Sequence, residues 1–97
     1  MTPEDRQNRL ALLSCRPDLR GVIWRRMAYR LFAPDWDHDH CVGCGSRFST
    51  IVEGDLTDGW ATTEDYSHGP EYEWVCVECF TEFRDLMQWR EALAAAD

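Results

Sequence analysis

Read from its amino end, the chain alternates short apolar clusters with polar and acidic stretches. Thr2-Pro3-Glu4-Asp5 forms a helix start: Thr2 can cap, Pro3 suits the first helical position, and the two acids face the positive end of the dipole. Leu10, Leu12 and Leu13 supply apolar contacts, and Pro17 disfavours helix at Arg16, so this first helix should end near Cys15. Leu19, Val22, Ile23, Met27 and Leu31 then recur at helical spacing, which predicts a second helix capped by Asp18, running to about Phe32 and closed by Pro34. Gly21 weakens its first turn by up to ~1 kcal/mol.

From residue 34 the pattern changes. PDWDHDH (34–40) is a turn-rich acidic loop. FSTIV (48–52) reads as a strand, EGDLTDG (53–59) as a turn and WATT (60–63) as the returning strand of a hairpin. After the polar loop EDYSHGP (64–70), EYEWV (71–75) alternates polar and aromatic residues like a third strand. Phe80, Phe83, Leu86, Met87 and Leu93 form one apolar stripe, which predicts a C-terminal helix continuing into ALAAAD. The expected fold class is therefore α+β. A helical segment over 1–33 with two helices packs on a second unit over 34–97.

Composition sharpens this reading. A chain of 97 residues buries a modest core, and small domains often need a staple. The formal charge is −8, and all ten basic residues are arginine, as a GC-rich genome would favour. Residues 1–33 hold seven arginines and three acids, a sum of +4; residues 34–97 hold three arginines and fifteen acids, a sum of −12. Such asymmetry marks either an interaction surface or two halves that pair with each other. The polar N-terminus has no signal-peptide pattern, and no apolar run approaches the ~20 residues needed to span a bilayer. A soluble, cytoplasmic protein with reduced thiols is expected, with no membrane partner.

The staple is legible in the cysteines. Cys41-x2-Cys44-x31-Cys76-x2-Cys79 supplies two paired turns, the spacing with which thiolates hold one tetrahedral zinc ion. Gly45, directly after Cys44, suits the positive φ of such a knuckle, and Gly43 adds freedom inside it. Rubredoxin-like iron and thiol redox chemistry are the alternatives. The second pair, Cys76-Val77-Glu78-Cys79-Phe80, lacks the proline and glycine of rubredoxins, and a thioredoxin-type motif belongs in a βαβ context. One structural zinc is the expected cofactor.

A knuckle, a β-hairpin and a second Cys-x-x-Cys opening a helix resemble the treble-clef zinc finger, with the zinc ribbon as the close alternative. HDHC-x-x-C followed by W-x-C-x-x-C-F is also similar to small bacterial proteins of unassigned function. The resemblance covers roughly residues 35–90 and implies a zinc-binding fold without implying an activity. In it Cys76 and Cys79 would open the last helix, where the dipole favours their charge, and Phe48 and Phe80 would cover the metal.

The remaining candidates are weaker signals. His38 and His40, just before the first ligand, could hydrogen-bond a thiolate from behind. Asp35, Asp37 and Asp39 alternate as in a calcium loop, but the required glycine and glutamate positions hold His40 and Ser46. Cys15 should pack in the core. Most of the five tryptophans should be buried, with Trp36 and Trp60, in or beside loops, as partner-binding anchors. Arg25 and Arg26 on the second helix could meet either phosphate or the acidic half. No phosphate loop, nucleophile elbow or His-Glu-x-x-His helix is present, so no enzyme is expected. The leading expectation is a non-catalytic adaptor, regulator or inhibitor that binds another protein, such as an immunity or anti-nuclease protein. A nucleic-acid-binding regulator using the arginine-rich second helix is the alternative.

Overall fold

The computed structural model describes residues 1–93. In chain order the elements are α1 (Pro3–Ser14), a 3-10 turn (Pro17–Leu19), β1 (Ile23–Ala28), β2 (Asp39–His40), β3 (Arg47–Phe48), β4 (Asp58–Thr62), β5 (Trp74–Val75), α2 (Val77–Met87) and β6 (Arg90–Glu91). Helix α1 begins as its sequence demands: Thr2 Oγ1 accepts a hydrogen bond from the Asp5 amide at 3.0 Å. Leu13 is buried and Leu10 partly so. The helix stops at Cys15, two residues before Pro17, and Cys15 is exposed rather than packed in the core.

The second helix does not form. Gly21 takes φ +76 and ends the short 3-10 turn, and its amide donates to the Met87 carbonyl at 2.9 Å. From there the chain runs extended as β1. Ile23, Trp24 and Tyr29 are residues that favour strands, and helical spacing of apolar residues cannot by itself outweigh a strand held on both sides. Strand β1 is internal to a four-stranded sheet of order β5-β4-β1-β6. It pairs antiparallel with β4, Arg26 opposite Trp60, and parallel with β6, Ile23 opposite Arg90. Arg25 and Arg26 therefore sit on a strand.

Two further expectations change. The predicted hairpin of 48–52 with 60–63 is replaced by two others: β3 pairs with β2, and β4 with β5. Residues 51–52 are exposed loop. The C-terminal helix is shorter than its apolar stripe suggested. Gln88 adopts a left-handed cap with φ 57, and β6 follows. Leu86 and Leu93 are exposed, so the buried stripe is Cys79, Phe80, Phe83 and Met87. Of ALAAAD, residues 94–97 lie outside the described residues, and Ala92 and Leu93 are not helical.

The core is aromatic. Trp24, Trp74, Phe48, Phe80 and Phe83 are almost completely enclosed. Trp60 stacks on Phe80 at 3.9 Å between ring centroids, Phe80 stacks on Trp89 at 5.9 Å, and Trp89 meets Trp24 edge-on at 5.4 Å. Rings of this size each remove about 150–250 Å² from water, which lets a short chain close an interior.

The charge asymmetry is answered inside the molecule. Among the described residues, six of the seven arginines in residues 1–33 reach an acid beyond residue 33: Arg6–Glu82, Arg9–Glu78, Arg16–Glu73, Arg25–Glu64, Arg26–Asp58 and Arg30–Glu71. Exposed pairs of this kind contribute about 0–1 kcal/mol each. Their main effect is to match the two charge patterns in register.

Candidate metal centre

The first cysteine pair sits on a knuckle between β2 and β3. The Cys41 amide donates to Ser46 O at 2.8 Å, and the Gly45 amide returns to Cys41 O at 2.9 Å. Gly45 has φ +77, the left-handed backbone expected after Cys44. Gly43 is required for a different reason: a Cβ there would stand 2.9 Å from Cys79 Sγ. Knuckle and β5 are joined by a bridge between Cys41 and Trp74 and by the Val42 amide donating to Trp74 O at 3.0 Å. Strand β5 thereby delivers the second pair. Cys76 caps α2, its Sγ accepting from the Cys79 amide at 3.3 Å, and Cys79 lies in the first turn.

These elements bring Sγ atoms of Cys41, Cys44, Cys76 and Cys79 within 4.8 Å of one another. Four sulfurs at ~2.3 Å from a tetrahedral ion stand about 3.8 Å apart, and the Cys44–Cys76 separation is 3.9 Å. The donor set and its dimensions therefore fit a single tetrahedral thiophilic metal. Further donors face the sulfurs: the amides of Gly43 and Cys76 point to Cys41 Sγ, each at 3.3 Å, and Ser46 Oγ lies 3.1 Å from Cys44 Sγ. The α2 N-terminus adds its dipole.

Crowding sets the protonation of the cluster. Hydrogen bonding from Cys41, then Cys76 and Cys79, holds the Cys44 thiol far below its usual range. Contacts with Cys41 and Cys44 push Cys76 and Cys79 above theirs. Hydrogen bonds within the cluster also hold Cys41 below its usual range, at about 7, so two sulfurs favour charge and two resist it, and a cation is what allows all four to ionise. Cys41, Cys76 and Cys79 are buried, whereas Cys44 is partly exposed. It borders an open hollow of about 340 Å³ shared with Arg9, Ser46, Leu56, Asp58 and Cys76.

Arg9 was not singled out by the sequence, yet its Nη1 donates to Cys79 Sγ at 3.2 Å. Its signal was the spacing Arg6, Arg9, Leu10, Leu13, one helix face in which two arginines replace apolar residues. Burial opposes the Arg9 charge, but hydrogen bonds to Asp5, Cys79 and Glu78 outweigh it and raise its pKa.

The other candidate residues lie outside the cluster. His40 Nδ1 donates to Gly45 O at 3.0 Å and so braces the knuckle, while His38 Nδ1 meets Asp37. Neither ring is among the four clustered donors. Phe48 packs on Tyr29 and Trp74, and Phe80 lies between Trp60 and Trp89. Trp60 is half-buried in β4. Trp36 is 37% exposed, donates to Asp39 Oδ2 at 3.0 Å, and packs with Phe32 and Tyr72. Arg25 and Arg26 face Glu64 and Asp58.

Among the described residues no helix is long and apolar enough to cross a membrane. The four-cysteine arrangement fits a Cys-type zinc module, and no protein-family model, curated protein or solved structure matches the chain.

Proposed function

We propose that the chain is a non-catalytic, cytoplasmic zinc-binding protein of treble-clef type that acts as a protein-interaction module: an adaptor, a regulator or an inhibitor of the immunity or anti-nuclease kind. The carrying observation is the closed set of four thiolate donors, Cys41, Cys44, Cys76 and Cys79, within 4.8 Å. Four thiolates complete the coordination of zinc, so the ion would supply a crosslink between the knuckle and α2 and no open position for substrate. The order of knuckle, β4–β5 hairpin and ligand-bearing helix supports the treble-clef reading.

The interaction reading draws on the segment around the metal knuckle. Phe32 and Trp36 expose aromatic surface beside Asp35 and Asp37, which are exposed acids. A basic partner surface would meet such a face with charge complementarity and aromatic anchors. The arginines that a nucleic acid would need are engaged with carboxylates instead.

Elemental analysis of protein purified under reducing conditions should find one zinc per chain, and a chelator should unfold it. Iron with rubredoxin-like absorption, or a folded protein without metal, would refute the metal reading. The interaction reading is tested by affinity capture from the native host with wild type, Trp36→Ala and Arg26→Ala as baits. A captured protein lost with Trp36→Ala and kept with Arg26→Ala is expected. Nuclease-sensitive capture lost with Arg26→Ala would favour the nucleic-acid alternative and overturn it.

A further inference from the structure

Helix α1 precedes the zinc module in the chain, yet it lies against the ligand-bearing end of α2. Arg9 makes the connection. Its side chain is 13% exposed, and its three nitrogens divide the work. Nη2 meets Asp5 at 2.9 Å on its own helix, Nη1 meets Glu78 at 2.6 Å and Cys79 Sγ at 3.2 Å on the other, and Nε is buried with no hydrogen-bond partner among the described residues. A guanidinium would not surrender so much hydration for two carboxylates that solvent could reach anyway. The third anion, the sulfur, makes the arrangement intelligible.

Four thiolates around a dication leave a net charge of about −2 in a mostly enclosed site. Backbone amides offset part of it. Among the described residues Arg9 is the one charged side chain that donates to a cluster sulfur. A charge-assisted N–H···S bond offsets part of the negative charge on Cys79 Sγ and fixes where that sulfur sits, so the ligand set is held in place for the metal. Arg6, one turn earlier, pairs with Glu82 at 2.7 Å and lies 5.5 Å over the Phe83 ring, so it joins the two helices without touching sulfur.

We propose that Arg9 is a supporting residue of the metal centre, and that its bond to Cys79 couples the docking of α1 to retention of the metal. This inference rests on the metal reading given above. Coupling of this kind is reciprocal: a docked α1 tightens metal binding, and the bound metal tightens the docking of α1 by the same factor.

The test uses the full chain loaded with cobalt(II), whose thiolate charge-transfer absorption reports directly on the sulfurs. Arg9→Ala should move that band to longer wavelength, because a thiolate relieved of a hydrogen bond donates at lower energy. Metal transfer to a chromophoric chelator should strengthen by about 10–100-fold, the usual effect of removing a group that supports a ligand. Arg9→Lys, which keeps a charge and a donor, should fall between the two. Arg6→Ala should leave the band in place. Amide hydrogen exchange in α1 should slow on metal loading in the wild type and respond less in Arg9→Ala.

A folded Arg9→Ala protein with the wild-type band and wild-type transfer would overturn the proposal, as would an equal band shift in Arg6→Ala. If Arg9→Ala does not fold, Arg9→Lys decides, and an unshifted band there counts against the coupling. A wild type that gives no tetrathiolate cobalt spectrum refutes the metal reading itself, an outcome distinct from a normal spectrum that ignores Arg9.

Discussion

Gly43→Ala probes the metal centre through a single methyl group. The Gly43 Cβ position lies 2.9 Å from Cys79 Sγ and 3.1 Å from Cys79 Cβ, whereas ordinary contacts begin near 3.4 Å. Something must yield by about half an ångström, while metal–ligand distances tolerate only ~0.2 Å. Neither side yields easily. Cys79 is fully buried in the first turn of α2, and the Gly43 amide is committed to Cys41 Sγ at 3.3 Å. Overpacking of this kind costs about 1–3 kcal/mol, and at ~1.4 kcal/mol per tenfold this is a roughly 5- to 150-fold loss of metal affinity. The assay is zinc competition against a chromophoric chelator, with circular dichroism to confirm folding. Gly45→Asn is the control: it lies in the same knuckle at φ +77, where a Cβ meets nothing within 4 Å and asparagine tolerates the backbone. It should bind metal nearly as the wild type does. Unchanged affinity in a folded Gly43→Ala protein would show that the four sulfurs do not share one ion.

Three other outcomes are expected. Trp89→Phe keeps most of the stacking on Phe80 but removes the Nε1 donor to Leu19 O at 2.8 Å, leaving that carbonyl only the long 3.4 Å bond from the Val22 amide; a loss of about 0.5–1.5 kcal/mol in denaturant unfolding follows, and an unchanged midpoint would refute it. Burial holds the Asp39 carboxyl above the ordinary carboxylate range, against the hydrogen bonds it accepts from Tyr29 and Trp36. The unfolded chain therefore releases that proton first, and ionisation of Asp39 lowers stability as pH rises through its range. Asp39→Asn, which keeps an acceptor, should melt higher than wild type at neutral pH, with the difference closing below about pH 4; a gap that persists in acid would contradict this. Under limiting alkylation followed by peptide mapping, exposed Cys15 should react first, and Cys44 before the three buried ligands. Earlier labelling of Cys79 would contradict the observed burial.

Local chemistry was legible in the sequence and non-local pairing was not. The Thr2 cap, the break before Pro17, the Gly45 turn and the cysteine pairs are each decided within a few residues, and each stands where its residues put it. Strand β1 is the opposite case. Its apolar spacing suits a helix, and what overrides it is pairing with β4 and β6, elements more than 25 residues away in the chain. The same cause explains the shortened α2: Trp89 is drawn into the core against Trp24 and Phe80, which ends the helix at Gln88. In the sequence Gly43 offers only freedom within the knuckle; its need appears once Cys79 is placed beside it. Arg9 looked like any solvated arginine because the sulfur it meets is 70 residues distant.

The parallel pairing of β6 with β1 has a consequence for how the protein comes into being. The ribosome delivers Ile23 and Trp24 first, but the neighbour that seals their open side, Arg90–Glu91, follows only after every other strand of the sheet has been made. Until then the strand offers unpaired backbone groups beside a bulky indole, a surface prone to sticking to other chains. Birth order and assembly order therefore run against each other, and a nascent polypeptide halted before residue 90 should be a target for chaperones even when all four cysteines have already been made.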